Sequence, residues 1–164
     1  MKMLAALFAL ALVGGHSTYC PAQAPAAKTD SMKFTIYAAK DIKWDDAPAS
    51  LPPGAKVAVL DGDPSKDGPF VMRIRMPDGY RIAPHTHPMP ERVTIISGSL
   101  FFGMGDKFDP KKGHELSAGA FGTWPAGMKH FGWTEGETVI QLHGMGPWSL
   151  TYVNPADDPR NKKK

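Results

Sequence analysis

The clearest pattern along the chain is a period of two. In FVMRIRM, Phe70, Met72, Ile74 and Met76 fall on one face and Val71, Arg73 and Arg75 on the other, which predicts a half-buried strand. Pro77-Asp78-Gly79 then supplies a turn. Arg92–Ser97 is rich in β-branched residues and stops at Gly98; Ser99–Gly105 follows at once and reads as its hairpin partner. Further strands are predicted at Ala120–Trp124, Thr138–His143 and Ser149–Val153. Thr35–Trp44 reads as an edge strand able to cross to a partner. No segment after residue 32 keeps a helical period over three turns. Short strands separated by turn residues, with Gly at 17 and Pro at 16 of 164 positions, predict an all-β sandwich or barrel in one domain.

The N-terminus follows another rule. Lys2 precedes an apolar run from Met3 to Val13, too short to span a bilayer, and small residues follow from Pro21 to Ala27. Residues 1–26 therefore read as a cleaved secretory signal peptide, with a mature start at Ala27 and a periplasmic or secreted destination. Tyr19 is too bulky before Cys20 for a good lipidation site, so no stable membrane insertion is expected after processing. The expected layout continues with a disordered tail at 27–32, a barrel domain at 33–155 and a C-terminal tail at 156–164. Cleavage removes Lys2 and Cys20. That leaves 18 basic and 16 acidic side chains, net 18 − 16 = +2, and no thiol for a disulfide. With three of the positives at Lys162–Lys164 and no basic block in the body, nucleic acid is not an expected partner.

The stretch PHTHPMPE (84–91) carries the candidate chemistry. Two residues apart on a strand, His85 and His87 point to the same face with Cα atoms roughly 6.5–7 Å apart. The Pro88-Met89-Pro90 bend can bring Glu91 back toward the same point, and His130 follows a Pro-Ala-Gly turn in WPAGMKHFGW. Glu91 can instead pair with Arg92 or Arg81. His114 reads as a solvated loop residue, and His143 either packs or approaches the barrel mouth.

Two spaced patterns carry a resemblance. Gly79, five residues, His85-Thr86-His87, three residues, Glu91, six residues and Gly98 is similar to the first motif of the cupin superfamily. Gly119, five residues, Pro125, one residue, Gly127, two residues and His130 is similar to the second, with Thr134 where the family often has Asn. Flanking segments such as GMGDKFD and YVNPADDPR resemble small secreted cupins and the cupin lobe of ChrR-type anti-sigma factors, without the helical sigma-binding domain. The resemblance implies a cupin (jelly-roll) β-barrel, one divalent ion held by His85, His87, Glu91 and His130, and a homodimer.

Three imidazoles and one carboxylate accept Mn, Fe, Co, Ni, Cu or Zn. Metal acquired after export favours Zn, Cu or Mn. Such a centre can serve a dioxygenase-like oxidoreductase acting on a small organic substrate, a non-redox isomerase, decarboxylase or hydrolase, or a non-catalytic binding module. Candidate pocket residues are Phe102, Met104, Trp124, Met128, Trp133 and His143, with Arg73 or Arg75 available for a substrate carboxylate.

Overall fold

Phe70, Met72, Ile74 and Met76 are all buried, while Val71, Arg73 and Arg75 between them remain half-exposed, as the alternation requires. In the computed structural model, which describes residues 34–162, they belong to β3 (Gly68–Met76). The remaining strands are β1 (Asp45–Asp46), β2 (Lys56–Asp61), β4 (Arg81–Thr86), β5 (Glu91–Met104), β6 (His114–Ser117), β7 (Phe121–Trp124), β8 (His130–Gly146) and β9 (Thr151–Tyr152). The described residues contain no α-helix, only short 3-10 turns.

Two long strands organise the sheet. β5 and β8 run antiparallel over nearly their whole length, from Arg92 opposite His143 to Met104 opposite His130. The other edge of β8 is taken by β3 along its C-terminal half and by β4 along its N-terminal half. The other edge of β5 is taken by β7 near Glu91 and by β6 from Ser99 to Phe102. The ribbon is interrupted midway by register shifts around Ser97, where Gly98 and Gly136 both have positive φ. Each half of the ribbon thus heads its own row of strands, and the curled sheet forms a single all-β jelly-roll barrel. Its core holds Ile74, Met76, Val93, Ile95, Ile140 and Leu142.

Two expectations change. Arg92–Ser97 and Ser99–Gly105 are one strand rather than a hairpin, because Gly98 makes a bulge and the chain continues in the same direction. Thr35–Trp44 contains a 3-10 turn at Ala39–Asp41 in place of a strand; Ile42 is buried and Arg75 lies 4.6 Å above the Trp44 ring. Within the expected 156–164 tail the structure describes the chain as far as Lys162. It forms 3-10 turns at Pro155–Asp157 and Pro159–Asn161, with Asp158 buried and Arg160 donating to the Leu150 carbonyl. The expected signal peptide and the 27–32 tail lie outside the described residues. No described helix is long and apolar enough to cross a membrane.

Candidate metal centre

His85 sits on β4 and is paired across the sheet with His130, the first residue of β8. His87 follows β4 immediately, and Glu91 opens β5 after the proline bend. All four side chains are buried. One ring nitrogen from each histidine lies within 4.8 Å of the others. The ring centroids are 4.2 Å apart for His85 and His130, 4.8 Å for His85 and His87, and 5.2 Å for His87 and His130. The Glu91 carboxylate is not within that limit of all three rings, but its Oε2 stands 3.2 Å from His87 Nε2.

The hydrogen bonds fix the tautomers. His85 Nδ1 bonds the Ala83 carbonyl at 2.7 Å, His87 Nδ1 the Ser149 carbonyl at 2.8 Å, and His130 Nδ1 the Met128 carbonyl at 2.9 Å. A carbonyl only accepts, so each Nδ1 carries the proton and donates, and a neutral ring then keeps its Nε2 lone pair. Burial holds all three in that neutral form. It drives His85 well below the usual imidazole range, helped by the neighbouring His130 and His87; it brings His87 to about 4, with His130 adding to the effect; and it lowers His130. The same burial pushes Glu91 up to about 7, against a hydrogen bond that Trp148 Nε1–H donates to its Oε1.

These residues open onto a cavity of about 60 Å³ whose other walls are apolar, among them Ile74, Val93, Leu100, Phe102, Trp124 and Ile140. Among the described residues, no lysine, arginine, serine or threonine lines it. The Phe102 and Trp124 rings are 4.7 Å apart and tilted by 54°, and Phe102 lies 5.3 Å from the His130 ring.

The remaining candidates from the sequence lie elsewhere. Arg73 and Arg75 are on the outer face of β3, since Met72, Ile74 and Met76 fill the inner one; Arg73 Nε–H donates to Gln141 Oε1 at 3.0 Å. His143 is outside too, its Nε2 3.0 Å from the Gln141 amide nitrogen, because Ile140 and Leu142 take the inner positions of β8. Trp133 stacks on Phe101 at 5.1 Å on the outer face and sits over Gly113. Met104, opposite His130, is 58% exposed at the rim, and Met128 packs against the core outside the cavity lining. His114 is exposed at the start of β6. Arg81 lies 3.5 Å above the Phe108 ring, and no ion pair joins it or Arg92 to Glu91. Sequence reasoning missed Trp148 and the Ser149 carbonyl, which reach the site from 57 and 62 positions away.

Residues 16–151 match the family model described as a domain of unknown function, DUF4437. The chain belongs to that family. No curated protein matches it. Among solved structures it is similar to the polyketide cyclase RemF from Streptomyces resistomycificus, with 15% identity, 77% of this chain and 90% of that one covered, and a TM-score of 0.65. An acetylacetone dioxygenase from Acinetobacter johnsonii has 16% identity, coverages of 80% and 85%, and a TM-score of 0.60. An RmlC-like cupin from Shewanella frigidimarina has 13% identity, coverages of 70% and 94%, and a TM-score of 0.52. At these identities the likeness shows the fold, which is the cupin barrel.

Proposed function

We propose that this DUF4437 chain holds one divalent transition metal through His85, His87, Glu91 and His130 and acts as a dioxygenase-like oxidoreductase on a small organic compound. The observation that carries the metal reading is the donor set. Three neutral imidazoles turn their unprotonated nitrogens toward one point, beside a carboxylate that burial leaves without a lysine or arginine partner. A divalent ion answers both features, since it takes up the lone pairs and offsets the buried anion.

A bound ion would supply a Lewis-acid centre able to take two oxygen atoms of a ligand. The protein's own part is containment and orientation. Backbone carbonyls fix the ring planes, and Phe102 and Trp124 exclude water from beside His130. Glu91 is the only carboxylate that the described residues place in the wall, and they set no separate general acid or base beside it. The described residues give the wall no cationic side chain for a second anionic group. This favours a compact substrate with an apolar body and its oxygens at one end, as in an enolisable dicarbonyl. The acetylacetone dioxygenase among the fold relatives is consistent with that class and supports the oxidative reading.

Further parts of the proposal are export, metal uptake outside the cytoplasm favouring Zn, Cu or Mn, pairing as a homodimer, and closeness to ChrR-type cupin lobes. The test is elemental analysis of protein recovered from its native host, followed by oxygen uptake with small β-dicarbonyls. One equivalent of a redox metal, lost in His85→Ala together with oxygen consumption, is the expected result. One equivalent of zinc and no oxygen uptake with any of these compounds would end the oxidoreductase reading while leaving the metal site standing.

A further inference from the structure

The four proposed ligands are supported in two different ways. His85 and His130 are each oriented by a carbonyl two residues earlier in the chain, Ala83 within β4 and Met128 in the turn that leads into β8. His87 and Glu91 depend on one remote segment, Pro147–Leu150, which follows β8. There the Ser149 carbonyl accepts from His87 Nδ1–H, and Trp148 Nε1–H donates to Glu91 Oε1. The Trp148 ring also stacks on the His87 ring, with centroids 5.5 Å apart and planes 19° from parallel. The segment is tied down on both sides: the Trp148 backbone N–H donates to the Pro64 carbonyl at 2.7 Å, and Leu150 is buried in the core.

We propose that Trp148 is a positioning residue for the metal centre: its indole N–H occupies Glu91 Oε1 and leaves Oε2 as the oxygen turned toward the histidines. The inference rests on the metal-binding reading and adds to it the residue that decides which carboxylate oxygen faces the ion. A carboxylate held on one side by a donor cannot swing freely between its two oxygens, and the stacked ring limits the tilt of His87 at the same time. One side chain therefore couples the two ligands that the proline bend separates.

Trp148→Phe keeps a smaller aromatic ring near His87 and deletes the donor. Zinc affinity is to be measured by chelator competition, and the visible spectrum recorded on the cobalt(II)-loaded protein, for wild type, Trp148→Phe, Glu91→Ala and the double variant. The expected result is a loss of about 10- to 100-fold in zinc affinity for Trp148→Phe, the usual range for removing a partner of a ligand, with a changed cobalt spectrum. In the Glu91→Ala background, which has no acceptor for the indole N–H, the same substitution should cost less than about twofold. A second readout needs no variant: the indole N–H resonance of Trp148 should shift on zinc addition, while those of Trp44 and Trp133 on the outer face stay in place. Wild-type affinity and spectrum in Trp148→Phe, an equal loss in both backgrounds, or an unmoved Trp148 resonance in zinc-bound wild type would each overturn the role. Wild type that takes up neither zinc nor cobalt would overturn the metal reading itself, and this inference with it.

Discussion

Glu91 is an anion in waiting, 6% exposed, with no lysine or arginine among the described residues of the wall around it. Its folded-state value of about 7 lies above the ordinary 4.5, so the metal-free protein favours its protonated form. That contribution is present at low pH and is lost as pH rises from 4.5 through about 7. At pH 8 the metal-free protein therefore carries a buried charge eased only by the Trp148 hydrogen bond, and Glu91→Gln relieves it. The expected outcome is that metal-free Glu91→Gln is more stable than metal-free wild type at pH 8 by roughly 1–3 kcal/mol, and that added metal reverses the order. Urea unfolding of chelator-treated and metal-loaded proteins checks both halves; a Gln variant that is the weaker in both states would contradict the account. Residue-level legibility divides along the same line. His85, His87, Glu91 and His130 could be read from the sequence because each is placed by spacing of a few residues on a strand or at a bend. Trp148 could not, because it meets Glu91 only after β8 has run the length of the barrel and delivered a segment 57 residues away.

At the level of elements, the β5–β8 ribbon shows what strand patterns reveal and what they hide. Alternation separated Met72, Ile74 and Met76 from the outward Arg73 and Arg75, but it could not tell which outward side chains might reach a cavity. Gly98 between two apolar runs has the signature of a hairpin turn. A positive-φ glycine serves a bulge equally well, and the choice is made by β8 pairing with both halves of β5. The bulge is tight. A Cβ on Gly98 would lie 2.4 Å from the Glu137 carbonyl oxygen and 2.8 Å from the Thr138 Cα, at a φ of +76°. Gly136, across the ribbon at +77°, has nothing within 4 Å of the same position. Gly136→Ala should then cost only the left-handed strain of about 1–2 kcal/mol. Gly98→Ala adds backbone overlap to that strain and should cost at least about 1 kcal/mol more. Denaturant midpoints of the two variants, measured side by side, give the comparison; equal losses would mean that the ribbon relaxes at Gly98 without resistance. Thr134, where the resemblance leads one to expect Asn, is part of the same framework. Its buried hydroxyl donates to the Pro77 carbonyl at 2.7 Å and accepts from the Tyr80 N–H at 3.0 Å, fastening the turn before β4 to β8.

Across the whole barrel, two tyrosines tie a loop to the cavity wall. Tyr152 OH donates to the Ser50 carbonyl at 2.8 Å, and Tyr80 OH donates to the Pro52 carbonyl at 2.6 Å. Leu51, between those two carbonyls, is buried and lines the cavity that holds the histidines. Burial raises both phenols above their ordinary value of 10, Tyr152 to about 12 with a further push from Asp158. The native state therefore keeps phenolic protons that the unfolded chain gives up. The stability tied to these groups is full below pH 10 and is lost as pH climbs through about 12. A phenolate cannot donate, so ionisation breaks the bonds to Ser50 and Pro52 and frees Leu51 from the wall. Tyrosinate absorbance on an alkaline titration should accordingly show a late step that coincides with loss of the near-ultraviolet circular dichroism of the core. Tyr152→Phe should remove part of that step and destabilise the neutral-pH protein by about 0.5–1.5 kcal/mol through the lost bond. Ionisation of both tyrosines near pH 10 with the circular dichroism unchanged would show that the loop is not held by these hydroxyls and that the cavity wall at Leu51 is sustained by apolar packing alone.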